Sequence, residues 1–402
     1  MRFSVRELGG GLGDAGLFIP IAVAMITLNG LNATAVFAVA GLVYMGTALY
    51  FRVPVPVQPL KAFAAAAIAL HLNAETLAAG ALLMAAAMAL LAATGTAGWL
   101  AQRFPTALVR GIQASVALLL AKAAIELAQK GNWDGLPPID PTVSLFIAAA
   151  CCVVLLGVAG DRWLPGSLMV LGAGAAIGIG VDGLPSGVGL GPEGISWSLP
   201  NGPDFATALT ALVLAQIPLT FGNSVVATAD AERAYFGKRA RRVDPPRLAS
   251  SISIANVAAG LTGGLPVCHG AGGVTAHYRL GARTAGATLM VGALYVVLGV
   301  VLGASLPVFL HLLAPAALAG MLLFVAIQHG VLAGQLERLD DRVLAAGIGL
   351  ITLLTGNLAI GAGAGIAVLA LRALLRRRIG APPAPLSEWQ DSAAPETARS
   401  MR

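Results

Sequence analysis

The sequence is poor in charged residues. Asp, Glu, Lys and Arg make up 11% of the 402 residues and hydrophobic residues 57%, whereas a soluble domain carries about 25% charged residues. Apolar stretches of about 18 residues or more, long enough to span a bilayer, recur from Gly11 almost to Leu375. Because no sizeable soluble domain is left between them, we predict an integral protein of the lipid bilayer with a short polar tail.

Cysteine is equally scarce, and Cys151, Cys152 and Cys268 show no paired spacing. Disulfide frameworks and zinc sites need such spacing, so neither is expected. The net charge of +6 comes from basic loops that the positive-inside rule explains, so no nucleic-acid partner is expected. The spans contain no nucleophile–base pair or metal-ligand set, and the chain has no P-loop. We therefore predict neither an enzyme nor a cofactor or metal site.

The apolar segments predict an all-α polytopic membrane protein with about fourteen segments. They lie near 11–30, 33–51, 54–72, 76–95, 105–128, 142–159, 164–181, 205–228, 248–265, 267–281, 284–304, 306–330, 342–356 and 358–375. Proline, glycine or polar residues crowd the starts of segments 54–72 and 267–281. These two are predicted to be broken helices.

Loop charge predicts the orientation of the chain. Residues 163–232 contain no Lys or Arg, whereas 233–247 and 372–378 are strongly basic. Since basic loops favour the cytoplasmic side, the acidic connection within 163–232 should lie outside, and both termini should lie in the cytoplasm. The expected location is the cytoplasmic (inner) membrane.

An odd number of spans in each half requires the halves to be inverted relative to each other. Pro56 and Pro266 begin similar motifs 210 positions apart, and the same offset places Asp14 on Ser224. We therefore predict four regions. They are a first inverted repeat (1–182), an extracytoplasmic linker (183–204), a second repeat (205–378) and a disordered cytoplasmic tail (379–402).

An acidic residue, Asp14, lies in a glycine-rich stretch of the first span. An intramembrane acid is costly unless it is paired or lines a polar cavity. Two interpretations stay open. Either Asp14 lies at a helix–helix interface, or it is a proton-coupling or gating group near a binding site.

The start of the first broken helix contains Pro54, Pro56, Gln58, Pro59, Leu60 and Lys61. Pro59 suits the first turn of a helix. We expect the N–H groups of Leu60, Lys61 and Ala62 to be unpaired at the membrane midplane, where a helix start attracts anions. Lys61 adds a positive charge to this site, although it could instead reach toward an interface.

The second broken helix begins in the stretch containing His269, Gly270 and Ala271. In an inverted repeat its start would face the first, and the converging N–H donors would suit an oxyanion. His269 could donate to the anion or titrate, or it could simply cap the helix. Asn223 and Ser224, in an apolar span, could bind substrate or hold helices together.

Four motifs together resemble the molybdate transporter family related to the SulP sulfate permeases. They are Glu7–Pro20, Pro54–Lys61, Leu219–Ser224 and Pro266–Gly273. The resemblance implies a seven-plus-seven inverted-repeat fold shared with nucleobase transporters, with core and gate subdomains and an elevator-like motion. It also implies proton-coupled uptake of molybdate or sulfate, and a homodimer. The sulfate permeases proper usually append a soluble regulatory domain, so a chain ending at Arg402 favours the molybdate branch.

Our hypothesis is therefore a secondary symporter for a tetrahedral oxyanion. Its predicted binding residues are Gln58, Leu60, Lys61, Asn223, Ser224, His269, Gly270 and Ala271, with Asp14 for coupling or gating. A transporter of nucleobases or other small organic anions is the alternative, but it should place a carboxylate in the second half where Asn223 and Ser224 stand. A channel would differ by giving currents rather than saturable uptake.

Overall fold

The computed structural model describes residues 1–96, 106–131, 139–158, 166–182, 188–194, 199–334 and 336–378. The first half contains α1 (Val5–Gly11), a 3₁₀ turn (Leu12–Asp14), α2 (Ala15–Asn29), α3 (Ala33–Phe51), β1 (Gln58–Pro59), α4 (Lys61–Ala69), α5 (Ala74–Thr94), α6 (Thr106–Gln129), α7 (Pro141–Gly157) and α8 (Gly166–Asp182). The all-α prediction is confirmed for the described residues, which include a single two-stranded pair.

The second half begins with one long irregular helix, Gly202–Ala240. It consists of α9 (Gly202–Ala208), a π-helical segment (Leu209–Val213), α10 (Leu214–Leu219), a second π-helical segment (Thr220–Ala227), α11 (Thr228–Phe236) and a 3₁₀ turn (Gly237–Ala240). After it come α12 (Pro245–Thr262), β2 (Val267–Cys268), α13 (Ala271–Leu280), α14 (Gly286–Leu302), α15 (Leu306–His311), α16 (Pro315–Ala333), α17 (Leu339–Thr355) and α18 (Leu358–Arg378).

Among the described residues, seven helical runs are long and apolar enough to cross a membrane. They are Val5–Asn29, Ala33–Phe51, Ala74–Thr94, Thr106–Gln129, Gly202–Ala240, Pro315–Ala333 and Leu358–Leu375. The prediction of one continuous segment over 306–330 is wrong, because α15 ends at His311 and α16 begins at Pro315. Ala314 is extended (ψ 139°), as expected for a residue that precedes proline.

Both predicted broken helices are confirmed. β1 and β2 pair antiparallel, with Gln58 opposite Cys268 and Pro59 opposite Val267. Prolines keep the first approach extended, since they lack an N–H and exclude the residue before them from helical geometry. The half-helices α4 and α13 have 9 and 10 residues, or about 14–15 Å. That is half the roughly 30 Å apolar core of a bilayer, so we infer that each begins near its middle.

The 210-residue offset recurs in the structure. It relates the paired residues Gln58 and Cys268, and also the N-caps Leu60 and Gly270. A twofold axis in the membrane plane would produce such an antiparallel pair between equivalent positions. The division into repeats 1–182 and 205–378 stays a prediction that this offset supports. The predicted tail and much of the predicted linker lie outside the described residues.

The helices pack in two groups. α3, α5, α12 and α14 form part of one group, in which Gly41 and Gly292 let α3 and α14 approach so closely that an added Cβ on either would meet the backbone of the other. Such small-residue contacts are typical of membrane helices. The second group contains α6, α7, α16, α17 and α18. α4 packs against α6 across the boundary, so the first half-helix lies between the two groups.

Candidate functional site

The starts of the two half-helices lie side by side. The Leu60 N–H donates to the Pro266 carbonyl over 3.0 Å, next to the β1–β2 pair. The expectation that this N–H is unpaired is therefore wrong, because the chain extends the strand pairing by one residue before the helix begins. The two helix starts nevertheless lie together, because Gln58 pairs with Cys268 and Pro59 with Val267 just before them.

The first half-helix keeps two donors at its start. Its third N–H, that of Phe63, donates to the Gln216 side-chain oxygen over 2.8 Å. In the described part of the chain, the N–H groups of Lys61 and Ala62 have no acceptor, and the N-cap Leu60 contributes no side-chain hydrogen bond. The free donors are therefore Lys61 and Ala62 rather than all three predicted residues.

A chain of side chains joins Asp14 to the half-helix. Gln58 Nε2 donates to Asp14 Oδ1 over 2.6 Å, and Lys61 Nζ donates to Gln58 Oε1 over 2.7 Å. Asp14 is 4% exposed, and its Oδ2 atom has no hydrogen-bond partner among the described residues. Lys61 thus turns inward rather than toward an interface. Asp14, Gln58 and Lys61 are called the polar network below.

Glycines bring the first helix onto α13. A Cβ on Gly10 would collide with the backbone of Ala282, and one on Gly13 with the Leu280 side chain. The 3₁₀ turn that ends at Asp14 lies in this contact region. There the Asp14 carboxyl group interacts electrostatically with His277 and Lys61. His277 is buried, with Nδ1 3.3 Å from the Pro54 carbonyl. A carbonyl only accepts, so Nδ1 carries the proton in this bond.

The Gln58 side chain packs against glycines of the second half-helix. A Cβ on Gly273 would lie 2.6 Å from Gln58 Nε2, and one on Gly270 would overlap the Gln58 amide and lie 3.4 Å from Asn223 Nδ2. α13 begins at Ala271 without a side-chain cap. Gln58, Asn223 and the start of α13 therefore converge, as the sequence predicted.

Asn223 and Ser224 lie in the second π-helical segment, a geometry often found at functional sites. Ser224 is buried and interacts with the Cys268 thiol, whereas Asn223 is only half-buried. Asn223 is therefore the more accessible of the two predicted donors. Ser224 joins the long helix to the strand pair.

His269 is held through both ring nitrogens. Nδ1 lies 2.7 Å from the Pro56 carbonyl and Nε2 3.1 Å from Ser251 Oγ. Since the carbonyl can only accept, Nδ1 is the donor, and Nε2 accepts from Ser251 in the neutral ring. This geometry fits the alternative in which His269 fixes the start of α13. In this structure both ring nitrogens of His269 are engaged by protein groups, and its predicted contact with an anion stays a prediction.

Gln216, His329 and Glu232 are among the buried polar residues that sequence reasoning missed. Gln216 caps α4, and His329 on α16 is an electrostatic neighbour of Lys61 with no described partner for its Nδ1. Glu232 on α11 is fully buried, and no described residue hydrogen-bonds either of its oxygens. Ser224, Thr228 and Glu232 are spaced four residues apart, so their side chains share one face of the helix. A polar residue in an apolar span was the available signal.

Charged residues of α6 line a cavity away from the polar network. Lys122 and Glu126 form an ion pair over 2.7 Å, and both are about half-exposed. They line a cavity of about 750 Å³ that also touches Ile68 and Ala69 at the end of α4. This cavity is at the opposite end of the half-helix from the polar network.

The fold is that of known anion transporters. The transmembrane domain of the cyanobacterial bicarbonate transporter BicA matches with a TM-score of 0.65 and 17% identity, covering 89% of this chain and 96% of that one. Murine SLC26A9 in the inward-facing state gives a TM-score of 0.66 and 15% identity, covering 93% and 69%. The apolar helices and the fold together define an integral membrane protein with the fold of these two structures.

The chain belongs to the molybdate transporter family, whose model, described as "Molybdate transporter of MFS superfamily", matches residues 6–120 and 208–328. Molybdate transporter 2 of Arabidopsis thaliana is 27% identical, covering 91% of this chain and 86% of its own length. Molybdate transporter 1 of Chlamydomonas reinhardtii is 28% identical, covering 80% and 82%. The resemblance seen in the motifs is confirmed.

Proposed function

We propose that the protein is a secondary transporter that takes up molybdate through the bilayer, with the anion bound between the starts of α4 and α13. The observation that carries the proposal is the adjacency of these two helix starts at the β1–β2 pair, with Lys61 at the first. The names of the relatives support molybdate as the substrate. Sulfate, also a tetrahedral dianion, is the expected competitor.

The charges at the site suit a dianion. Each helix start is equivalent to roughly half a positive charge, and Lys61 adds one more. The anion would accept from the N–H groups of Lys61 and Ala62, from the start of α13 and from the Asn223 amide. Lys61 Nζ, which bonds Gln58 Oε1 here, would turn to the anion on binding.

Asp14 is proposed to couple transport to protons. The Gln58 side chain links it to Lys61. Because no described residue hydrogen-bonds Asp14 Oδ2, this atom can take up a proton. A negative Asp14 would repel the bound dianion, so protonation would favour loading. The protein is proposed to lie in the cytoplasmic membrane with both termini in the cytoplasm. It is also proposed to form a homodimer, as the resemblance to its family implies.

The test is uptake of labelled molybdate into proteoliposomes, with sulfate as competitor and with an imposed pH gradient. Lys61→Ala should lose most of the uptake, because about half the positive charge of the site is removed. Lys122→Ala is the matched control, since Lys122 is half-exposed and ion-paired at the far end of α4 from the proposed site. Normal uptake by Lys61→Ala would refute the site, and indifference to the pH gradient would refute the coupling.

A further inference from the structure

An open groove runs between α3 and α12 on the surface of the first helix group. It has a volume of about 550 Å³, and its walls are mainly apolar, with Val39, Val43, Gly46, Ile254 and Ala258 among the lining residues. A Cβ added to Gly46 would meet no atom within 4 Å. The groove is therefore empty space that a small apolar chain can occupy.

The length of the groove is close to the apolar thickness of one leaflet of the bilayer. Its lining residues on α3 run from Val39 to Phe51, which corresponds to about 18 Å along a helix. Half of the roughly 30 Å apolar core is about 15 Å. An extended acyl chain that lies along α3 would therefore fill the groove from the interface to the middle of the bilayer.

Arginines mark one end of the groove. Arg247 lines it at the first turn of α12 and pairs with Asp244 over 2.8 Å. Arg242 donates to the Tyr50 carbonyl over 3.0 Å and lies 6.0 Å from the centre of the Tyr50 ring, which also lines the groove. With two arginines against one aspartate, this end carries a positive charge, to which an anionic headgroup is complementary.

We propose that the groove binds an anionic phospholipid, with one acyl chain between α3 and α12 and the phosphate on Arg242 and Arg247. The lipid would also touch the residues that hold His269. Ser251 lines the groove and bonds His269 Nε2, and Phe51 lines it with its ring edge-on to the imidazole at 6.3 Å. Bound lipid therefore steadies the start of α13.

The test measures lipid retained by the full chain after reconstitution in an equimolar mixture of phosphatidylglycerol and phosphatidylcholine with identical chains, by native mass spectrometry. Wild type should retain phosphatidylglycerol about fivefold in preference, as the net charge of two arginines and one aspartate would favour. Gly46→Leu, which fills the groove, should lose the bound lipid. Arg242→Gln with Arg247→Gln should lose the preference. Gly347→Leu on α17 is the matched control, since its Cβ also meets open space.

Equal thermal unfolding midpoints of Gly46→Leu and Gly347→Leu would establish that both variants fold. Retention of phosphatidylglycerol by Gly46→Leu at the wild-type level would overturn the proposal, as would a wild type without preference. A change from dimer to monomer in Gly46→Leu with lipid unchanged would assign the groove to a second copy of the chain and would equally overturn it. None of these measurements depends on transport. Their outcome is therefore independent of whether the proposed transport function is correct.

Discussion

Replacing Gln58 by leucine should show that the polar network acts as one unit. The substitution keeps the approximate shape of the side chain but removes its bonds to Asp14 and Lys61, of 2.6 and 2.7 Å. Hydrogen bonds to charged groups contribute about 1.5–3 kcal/mol each. The expected cost is therefore about 3 kcal/mol or more, because Asp14 would be left buried without a partner.

The assay is thermal unfolding of the full chain in detergent, combined with a double-mutant cycle. At roughly 2 °C per kcal/mol, Gln58→Leu should lower the unfolding midpoint by about 6 °C. In an Asp14→Leu background only the bond to Lys61 remains to be lost, so the same change should cost about half as much. Molybdate uptake, measured in parallel, should fall in both backgrounds. Additive effects of the two substitutions would refute the network.

Three further predictions concern single positions. Gly270→Ala should reduce uptake because its Cβ displaces the glutamine amide, whereas Gly272→Ala on the same half-helix should not, since its Cβ meets open space; equal uptake by the two variants would contradict this. Gln216→Leu should lower the free energy of unfolding by about 1–3 kcal/mol because it uncaps α4, and an unchanged midpoint in chemical denaturation would count against the cap. Glu232→Gln should leave the thermal midpoint unchanged or raise it, because an unpaired buried carboxyl is costly; a clear drop would reveal a partner.

The broken helices could be predicted because their causes are local. Three prolines within six residues, Pro54, Pro56 and Pro59, strongly disfavour a helix. The proline, glycine and polar residues at the start of segment 267–281 indicated the second break in the same way. The same local rule should have divided segment 306–330 at Pro315. Fold class and family also followed from apolar periodicity and from four motifs whose combination is specific.

The details of the site could not be predicted because they depend on partners far apart in sequence. Leu60 is paired by a carbonyl 206 positions away, and the ring of His269 is held by Pro56. Gln216 caps a helix that begins 155 positions before it. No local pattern specifies such contacts, so the sequence indicated which residues meet but not which of their atoms remain free.

The most direct test of the account is a structure of the full chain with bound molybdate, whose molybdenum atom can be located by anomalous scattering. We expect the metal centre of the oxyanion between the starts of α4 and α13, with its oxygens within hydrogen-bond distance of the Lys61 and Ala62 N–H groups. An anion bound instead in the cavity lined by Lys122 and Lys130, with the half-helix starts empty, would contradict the account.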